Sequence, residues 1–448
     1  MHEDKLIRTV RCRNEKKPGT LGRLLLAIAE TGGEVGEIRL IQESLKSVVR
    51  DITIYTDDEL QLEQVLAVIA SNPGTRLLAV RDEVLELHQK GKIAIRSRYT
   101  IDTLYTLRRV YTPGVASVCT RIANEPALAR QYTAIGHLVA IVTDGSAVLG
   151  LGNIGPVAGM PVMEGKAMLM ETLVGLSGVP ILLDSQDVDT IVETVATIAP
   201  TFAAIQLEDI SAPRCFEIET RLQARLQIPV MHDDQHGTAV VTTAALTTAC
   251  RQSGIDLKNA TIGQIGLGAA GNAIGRMLMK LTGRPVLGAD LSFEAVERFA
   301  RHGGQPSSLN EIMSQADIVI ATTGAPGLIK PEMVRQGQII LALSNPIPEI
   351  DPEVAVAAGA AFAADGKLVN NVLGFPGILR AAVDTQVPRL TQEMYLAAAQ
   401  AIADHTPPEE LVPNPLDKDV HRAVARAVAK MAIEQGLAQA DFVPYVED

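Results

Sequence analysis

The sequence predicts a multidomain α/β protein, and three observations carry that prediction. A short N-terminal stretch alternates strand and helix patterns in the order βαββαβ. The remainder interleaves apolar runs with amphipathic stretches, the pattern of sheets covered by helices. One of those apolar runs leads directly into a glycine-rich turn and a helix. A length of 448 residues favours two or three domains, each able to bury its own core.

The N-terminal elements follow one another at short intervals. Residues 6–12 read as a strand, which Pro18-Gly19 breaks. Leu21, Leu24, Leu25, Ile28 and Ala29 then recur at helical spacing, and Gly32-Gly33 ends that helix. Residues 35–42 and 47–55 read as paired strands, 60–71 as a second helix and 75–80 as a last strand. This order is ferredoxin-like. Residues 14–33, with Lys17-Pro18-Gly19-Thr20-Leu21-Gly22 entering the helix and Gly32-Gly33 closing it, resemble an ACT domain. That resemblance implies a small effector bound where two such domains pair. Residues 86–92 are polar and read as a linker or helix end.

Composition excludes several partners. Trp is absent, aromatics are 3% and the net charge is -12, so neither a stacking platform for nucleic acid nor a phosphate-backbone binder is expected. The four cysteines show no C-x-x-C spacing, which argues for reduced thiols rather than disulfides or a zinc knuckle. Residues 1–5 are charged without an apolar stretch behind them, and no apolar run is long enough to span a bilayer. A cytoplasmic protein without a membrane partner is expected.

Residues 260–265 form a short apolar run, followed at once by Gly266-Leu267-Gly268-Ala269-Ala270-Gly271 and an amphipathic stretch. Residues 285–289 are strand-like and end at Asp290. This is G-x-G-x-x-G in the setting a dinucleotide requires, with a strand before it, a helix after it and an acid at the end of the next strand. The glycines allow the backbone to approach a pyrophosphate at the helix N-terminus. Asp290 is positioned to bond a ribose 2′-hydroxyl and would repel a 2′-phosphate, so NAD is expected over NADP. Thr322-Thr323-Gly324-Ala325, after the apolar residues 318–321, reads as a further loop beside the cofactor.

Two acidic pairs end two other apolar runs. Residues 202–207 lead to Glu208-Asp209, and residues 228–231 lead to His232-Asp233-Asp234. If these are neighbouring parallel strands, their carboxyl ends lie roughly 5 Å apart. Four carboxylates gathered there need protons or a cation, and oxygen ligands without cysteine point to Mg²⁺ or Mn²⁺. His232 and His236 are alternative ligands or supporting groups; residues 233–238 read as carboxylates followed by a tight turn.

Base and acid candidates come next. Lys166 reads as the start of an apolar helix over residues 167–176. The helix dipole and apolar surroundings would both lower its pKa, which suits a general base. Tyr111 precedes the Pro113-Gly114 turn.

These segments together resemble the malic enzyme family, in the family's order from about residue 97 to 436. The matching residues are Tyr111-Thr112-Pro113-Gly114-Val115-Ala116, Thr143-Asp144-Gly145, Leu149-Gly150-Leu151-Gly152-Asn153-Ile154-Gly155-Pro156 and Gly165-Lys166. Glu208-Asp209, the run from His232 to Ala239, the glycine fingerprint, Leu343-Ser344-Asn345-Pro346 and the run from Asn370 to Gly377 complete the set. The resemblance implies oxidative decarboxylation of malate with NAD and a divalent metal, and a homodimer or larger homo-oligomer. It implies Glu208, Asp209 and Asp234 as metal ligands, Lys166 as base, Tyr111 as acid and Asp233 in support. Asn345 and Asn371 would bond the substrate. Gly266, Gly268, Ala269, Ala270, Gly271, Asp290, Thr323, Gly324 and Asn345 would line the coenzyme site. A malolactic reaction, releasing lactate with no net NADH, and an effector sensor with weak catalysis are the alternatives.

One departure concerns the segment after Thr143-Asp144-Gly145, where many larger relatives carry an Arg. Here Ser146-Ala147-Val148 follow, so the cation for the second substrate carboxylate is not read from the sequence. The expected domains are an ACT-like regulatory unit over 1–88, an α/β catalytic domain over 89–240, and a Rossmann-type NAD domain with C-terminal helices over 241–448. No acyltransferase-like extension is expected.

Overall fold

Strand β1 (Leu6–Glu15) lies at the centre of an antiparallel sheet of order β2-β3-β1-β4. It pairs with β3 (Ser47–Thr56) and β4 (Thr75–Arg81), and β2 (Glu34–Glu43) pairs with β3 on the outside. Helices α1 (Thr20–Glu30) and α2 (Glu59–Ser71) supply the other half of the core, where Val10, Cys12, Ile52 and Ile54 meet Leu24, Ile28, Val65 and Ile69. The βαββαβ order expected from the sequence is therefore the order of this sheet and its helices. A short helix, α3 (Glu83–His88), ends within the stretch expected as a linker or helix end, and Asp82 caps its start through the Leu85 N–H.

This computed structural model describes residues 5–148, 150–367 and 369–442, which fall into two compact units divided between Ala94 and Ile95. The charged residues 1–4 and Leu149 of the glycine-rich segment lie outside the described residues. Among the described residues no helix is long and apolar enough to cross a membrane.

The second unit opens with α4 (Leu104–Val110), α5 (Val115–Asn124) and α6 (Ala129–Tyr132), none of which buries a residue. A parallel sheet follows, with strands β5 (Leu138–Thr143), β6 (Ser177–Leu182), β7 (Ala204–Leu207) and β8 (Val230–His232) in the order β6-β5-β7-β8. Its crossovers are α7 (Pro156–Val174), α8 (Val188–Ile198) and α9 (Arg214–Arg225). β7 is buried along its whole length, as a strand covered on both faces requires.

Helix α10 (Asp233–Ser253) leaves β8 without a break and runs towards a second parallel sheet. Its strands are β9 (Ile262–Ile265), β10 (Leu287–Ala289), β11 (Gln305–Pro306), β12 (Ile318–Ala321), β13 (Ile339–Ala342) and β14 (Phe362–Asp365). They lie in the order β11-β10-β9-β12-β13-β14, the doubly wound arrangement in which direction reverses between β9 and β12. Helices α11 (Ala269–Thr282), α12 (Phe293–Arg301), α13 (Leu309–Gln315) and α14 (Pro352–Ala357) connect them. Helices α15 (Phe375–Thr385), α16 (Gln392–Asp404) and α17 (Lys418–Glu434) complete the unit. The boundary expected at 240/241 falls inside α10, which is one continuous helix.

Candidate active site

Register builds the first half of the site. Leu207 pairs with His232 across β7 and β8, so Glu208 and Asp233 emerge side by side one residue later. The expected juxtaposition of the two acidic pairs is thus a direct result of parallel pairing. Carboxylate oxygens of Glu208, Asp209 and Asp234 lie within 4.8 Å of one another. Asp209 adopts a left-handed φ of 54°, and its N–H donates to Asp234 Oδ2 at 2.9 Å.

Residues 233–238 form the first turns of α10, not the tight turn expected from the sequence. The helix dipole favours anions at that end, which suits Asp233 and Asp234. Gly237 is needed there because a Cβ would collide with the Asp233 carboxylate.

Lys166 also differs from expectation. It stands in the middle of α7, ten residues past Pro156, because the helix begins at Gly155-Pro156 rather than near Lys166. The dipole argument for a lowered pKa therefore falls. Burial lowers the affinity of Lys166 for its proton, but Asp233 and Glu208 outweigh it and the net shift is upward. Its Nζ bonds Asp233 Oδ2, lies 3.0 Å from Glu208 Oε1 and sits 4.5 Å from the centre of the buried Phe375 ring.

Four carboxylates face this one ammonium. Burial raises the pKa of Glu208, with Lys166 only partly opposing it. Burial, then repulsion from Asp234, pushes Asp209 up to about 7. Burial raises Asp233 as well. Asp209 Oδ2 and Asp233 Oδ1 are buried with no hydrogen-bond partner. Unpartnered buried carboxylate oxygens in a set rich in negative charge fit a hard divalent cation.

The histidines take supporting positions. His236 Nε2 lies 3.1 Å from Glu219 Oε2, and its ring stacks on Tyr395 at 4.6 Å. Glu219 also accepts from the His232 N–H and from Gln235 Nε2. It therefore holds the start of α10 from below. Its only trace in the sequence is an acid on the apolar face of α9, between Ile218 and Leu222. The His232 ring is fully buried with neither nitrogen hydrogen-bonded.

Asn371 joins the cluster: Nδ2 lies 3.5 Å from Asp233 Oδ2 and 3.0 Å from Thr238 Oγ1. Tyr111 does not. It ends α4, is 66% exposed, and no hydrogen bond ties it to Lys166 among the described residues. The segment lacking an arginine in sequence meets one in space, since Arg214 Nη2 bonds Asp144 Oδ2 and Ser146 Oγ, each at 3.0 Å.

The second half of the site lies at the reversal point of the larger sheet. At Gly268, which precedes α11, nothing stands within 4 Å of where a Cβ would be, whereas at Gly271 a Cβ would collide with Gly266 O. The open position leaves room for a phosphate at the helix N-terminus, and the crowded one packs helix against strand. Asp290 follows β10 as expected, but its carboxylate already accepts from the Leu267 N–H at 2.6 Å and the Ser292 N–H at 2.8 Å. It shapes the glycine turn as well as facing it. Thr323-Gly324 and Asn345 follow β12 and β13 at the same sheet edge. The donor-lined helix start and the flanking acid fit a dinucleotide.

Comparison with known proteins agrees with both halves. Residues 90–223 match the family described as malic enzyme, N-terminal domain. Residues 227–326 match the NAD binding domain of D-isomer specific 2-hydroxyacid dehydrogenases. The chain is 55% identical to NAD-dependent malic enzyme 1 of Bacillus subtilis, over 96% of this chain and 98% of that one. It is 43% identical to the bifunctional malic/malolactic enzyme of the same organism, over 81% and 95% of the two chains. The crystal structure of a malic enzyme from Pyrococcus horikoshii superposes with a TM-score of 0.76 at 38% identity, over 81% of this chain and 92% of that one.

Proposed function

The chain belongs to the malic enzyme family, and from that premise we propose that it oxidises L-malate with NAD and decarboxylates the product to pyruvate and carbon dioxide. The observation that carries the reading is Lys166 Nζ held between Glu208 and Asp233 at the ends of two neighbouring strands. NAD bound at the glycine turn would supply the acceptor for the C2 hydride. Glu208, Asp209 and Asp234 would hold a divalent cation, which would offset their charge and supply Lewis-acid polarisation of the C2 oxygen.

The residues of the chain do the rest. With the carboxylate charge offset, Glu208 and Asp233 would hold the Lys166 proton less tightly, so that Nζ gives it up to solvent and then, as the free amine, takes the C2 hydroxyl proton. Asp233 keeps Nζ in place, and Asn371 fixes Asp233 from the other side. Loss of the C4 carboxylate leaves an enolate, and Tyr111 supplies the proton that C3 takes up. Asn345 and Asn371 orient the substrate. Gly266, Gly268, Ala269, Ala270, Gly271, Thr323 and Gly324 bind the coenzyme, and Asp290 selects NAD over NADP.

The chain works as a homo-oligomer in this reading. Ile95, Tyr99, Leu104, Tyr105 and Tyr111 are large and exposed, and a subunit contact would cover them. A cytoplasmic setting goes with the four free cysteines. The N-terminal unit acts as an ACT-type effector domain, supported by its βαββαβ order and by positive φ at Gly19 and Gly32. Deleting residues 1–88 is expected to remove any effector response while leaving turnover; a response that survives would sink that part.

Mixing the protein with L-malate, Mn²⁺ and either NAD or NADP tests the whole. NADH and pyruvate in equal amounts, with NAD preferred, are the expected result. Lactate without net NADH would place the protein with malolactic reactions, a direction the bifunctional relative keeps open.

A further inference from the structure

Glu349 follows β13 and is fully buried, yet among the described residues no lysine, arginine or histidine pairs with it. Four uncharged donors surround its carboxylate instead. Oε1 accepts from the Thr323 N–H at 2.6 Å, from Thr323 Oγ1 at 2.8 Å and from Ser344 Oγ at 2.5 Å. Oε2 accepts from the Ser344 N–H at 3.3 Å. Ser344 Oγ in turn accepts from the Gly324 N–H at 2.8 Å, and Thr323 Oγ1 from the Ala325 N–H at 3.1 Å.

One buried carboxylate thus ties together the loops that leave β12 and β13, the first two strands beyond the reversal point of the sheet. Burying a carboxylate without a cation is costly, and four donors, three of them within 2.8 Å, are what make it tolerable. The loops it joins carry Thr323-Gly324 and Asn345, and the second approaches the carboxylate half of the site. A Cβ on Gly150 would stand 3.7 Å from Pro346 Cδ and 3.9 Å from Asn345 O.

We propose that Glu349 is a positioning residue that sets the spacing of the Thr323-Gly324 and Ser344-Asn345 loops, and with it the geometry in which NAD meets the substrate. The proposal rests on the NAD-linked reading above. Glutamine cannot replace this carboxylate. Its one oxygen still accepts, but its nitrogen donates and would face the Ser344 N–H.

The test titrates the full-length protein with NADH, followed by the fluorescence of bound nicotinamide, and separately with Mn²⁺, followed by water proton relaxation. Glu349→Gln is expected to weaken NADH binding about tenfold, as loss of a buried acceptor for several donors would. Mn²⁺ binding should stay within about twofold, because sites without shared partners act independently. Glu349→Asp, which keeps the charge, should recover part of the loss. Ser344→Ala removes one donor without touching the carboxylate and should weaken NADH by a smaller factor; it also serves if Glu349→Gln does not fold. Unchanged NADH binding in these variants would overturn the proposal, and so would equal loss of NADH and Mn²⁺, the mark of a purely structural role. If the wild-type protein itself bound no NADH, the NAD-linked reading would fail instead.

Discussion

At the carboxyl ends of β7 and β8, four carboxylates crowd one lysine, and buried oxygens of Asp209 and Asp233 have no donor. At the carboxyl ends of β10 and β13, the acids Asp290 and Glu349 are met by N–H and hydroxyl donors. Both are parallel sheets with acids at the same end, so the strands do not make the difference. The surroundings do. Where the backbone supplies donors, an acid shapes loops; where it does not, the carboxylates retain affinity for protons or a metal ion. The same residue type thereby serves chemistry in one place and architecture in the other.

The largest expected effect comes from removing the lysine of the crowded end. Lys166→Ala should lower kcat by on the order of a thousandfold, the range of a lost general base. Mn²⁺ binding should hold or tighten, because a competing positive charge is gone. Turnover within tenfold of wild type would refute the base assignment. Chelation with EDTA should also stop turnover, with recovery on adding Mn²⁺.

An intermediate effect is expected at the ordered end. Asp290→Ala removes the acceptor for a ribose hydroxyl and the charge that repels a 2′-phosphate. The ratio of kcat/KM for NAD to that for NADP should fall by about tenfold or more. It also frees the Leu267 N–H, so binding of NAD itself should weaken. An unchanged ratio would show that Asp290 only shapes the turn.

The smallest effect belongs to neither end and serves as a control. His421 in α17 is fully buried, with Nε2 against Pro415 O and Nδ1 unpartnered. Burial holds its pKa below the ordinary 6.5. The unfolded chain therefore takes up a proton that the folded one refuses, and stability should fall as pH drops below about 6.5. Thermal melts of wild type and His421→Gln between neutral and mildly acidic pH compare the slopes. Parallel curves would mean that His421 does not contribute.

Much of this was legible in the sequence where a local pattern and a local cause coincide. The glycine fingerprint sits between a strand and a helix, and it folded as that context requires. The acidic pairs follow apolar runs, so parallel pairing was enough to bring them together. Lys166 was misplaced because only the apolar run over 167–176 reads as helix, whereas α7 starts at Gly155-Pro156 and runs through Pro161. The resulting pKa argument failed with it, since the charges that dominate come from Glu208 and Asp233, 42 and 67 residues away. Glu219 and Glu349 were missed for the same reason. An acid is recognised as structural only once its donors are known, and two of the four that meet Glu349 come from a loop 26 residues earlier.

Helix α10 begins with Asp233 and Asp234 and ends at Ser253, shortly before β9. It is buried on nearly every side over its 21 residues. One residue added within it would turn everything beyond by about 100° and advance it by about 1.5 Å. Insertions and deletions in this helix would therefore separate the reading frames of the two halves of the site, as a slipped tooth does in a gear train. Natural and engineered length variants of this enzyme should accumulate in its loops and spare α10, even though most of its residues touch neither coenzyme nor metal.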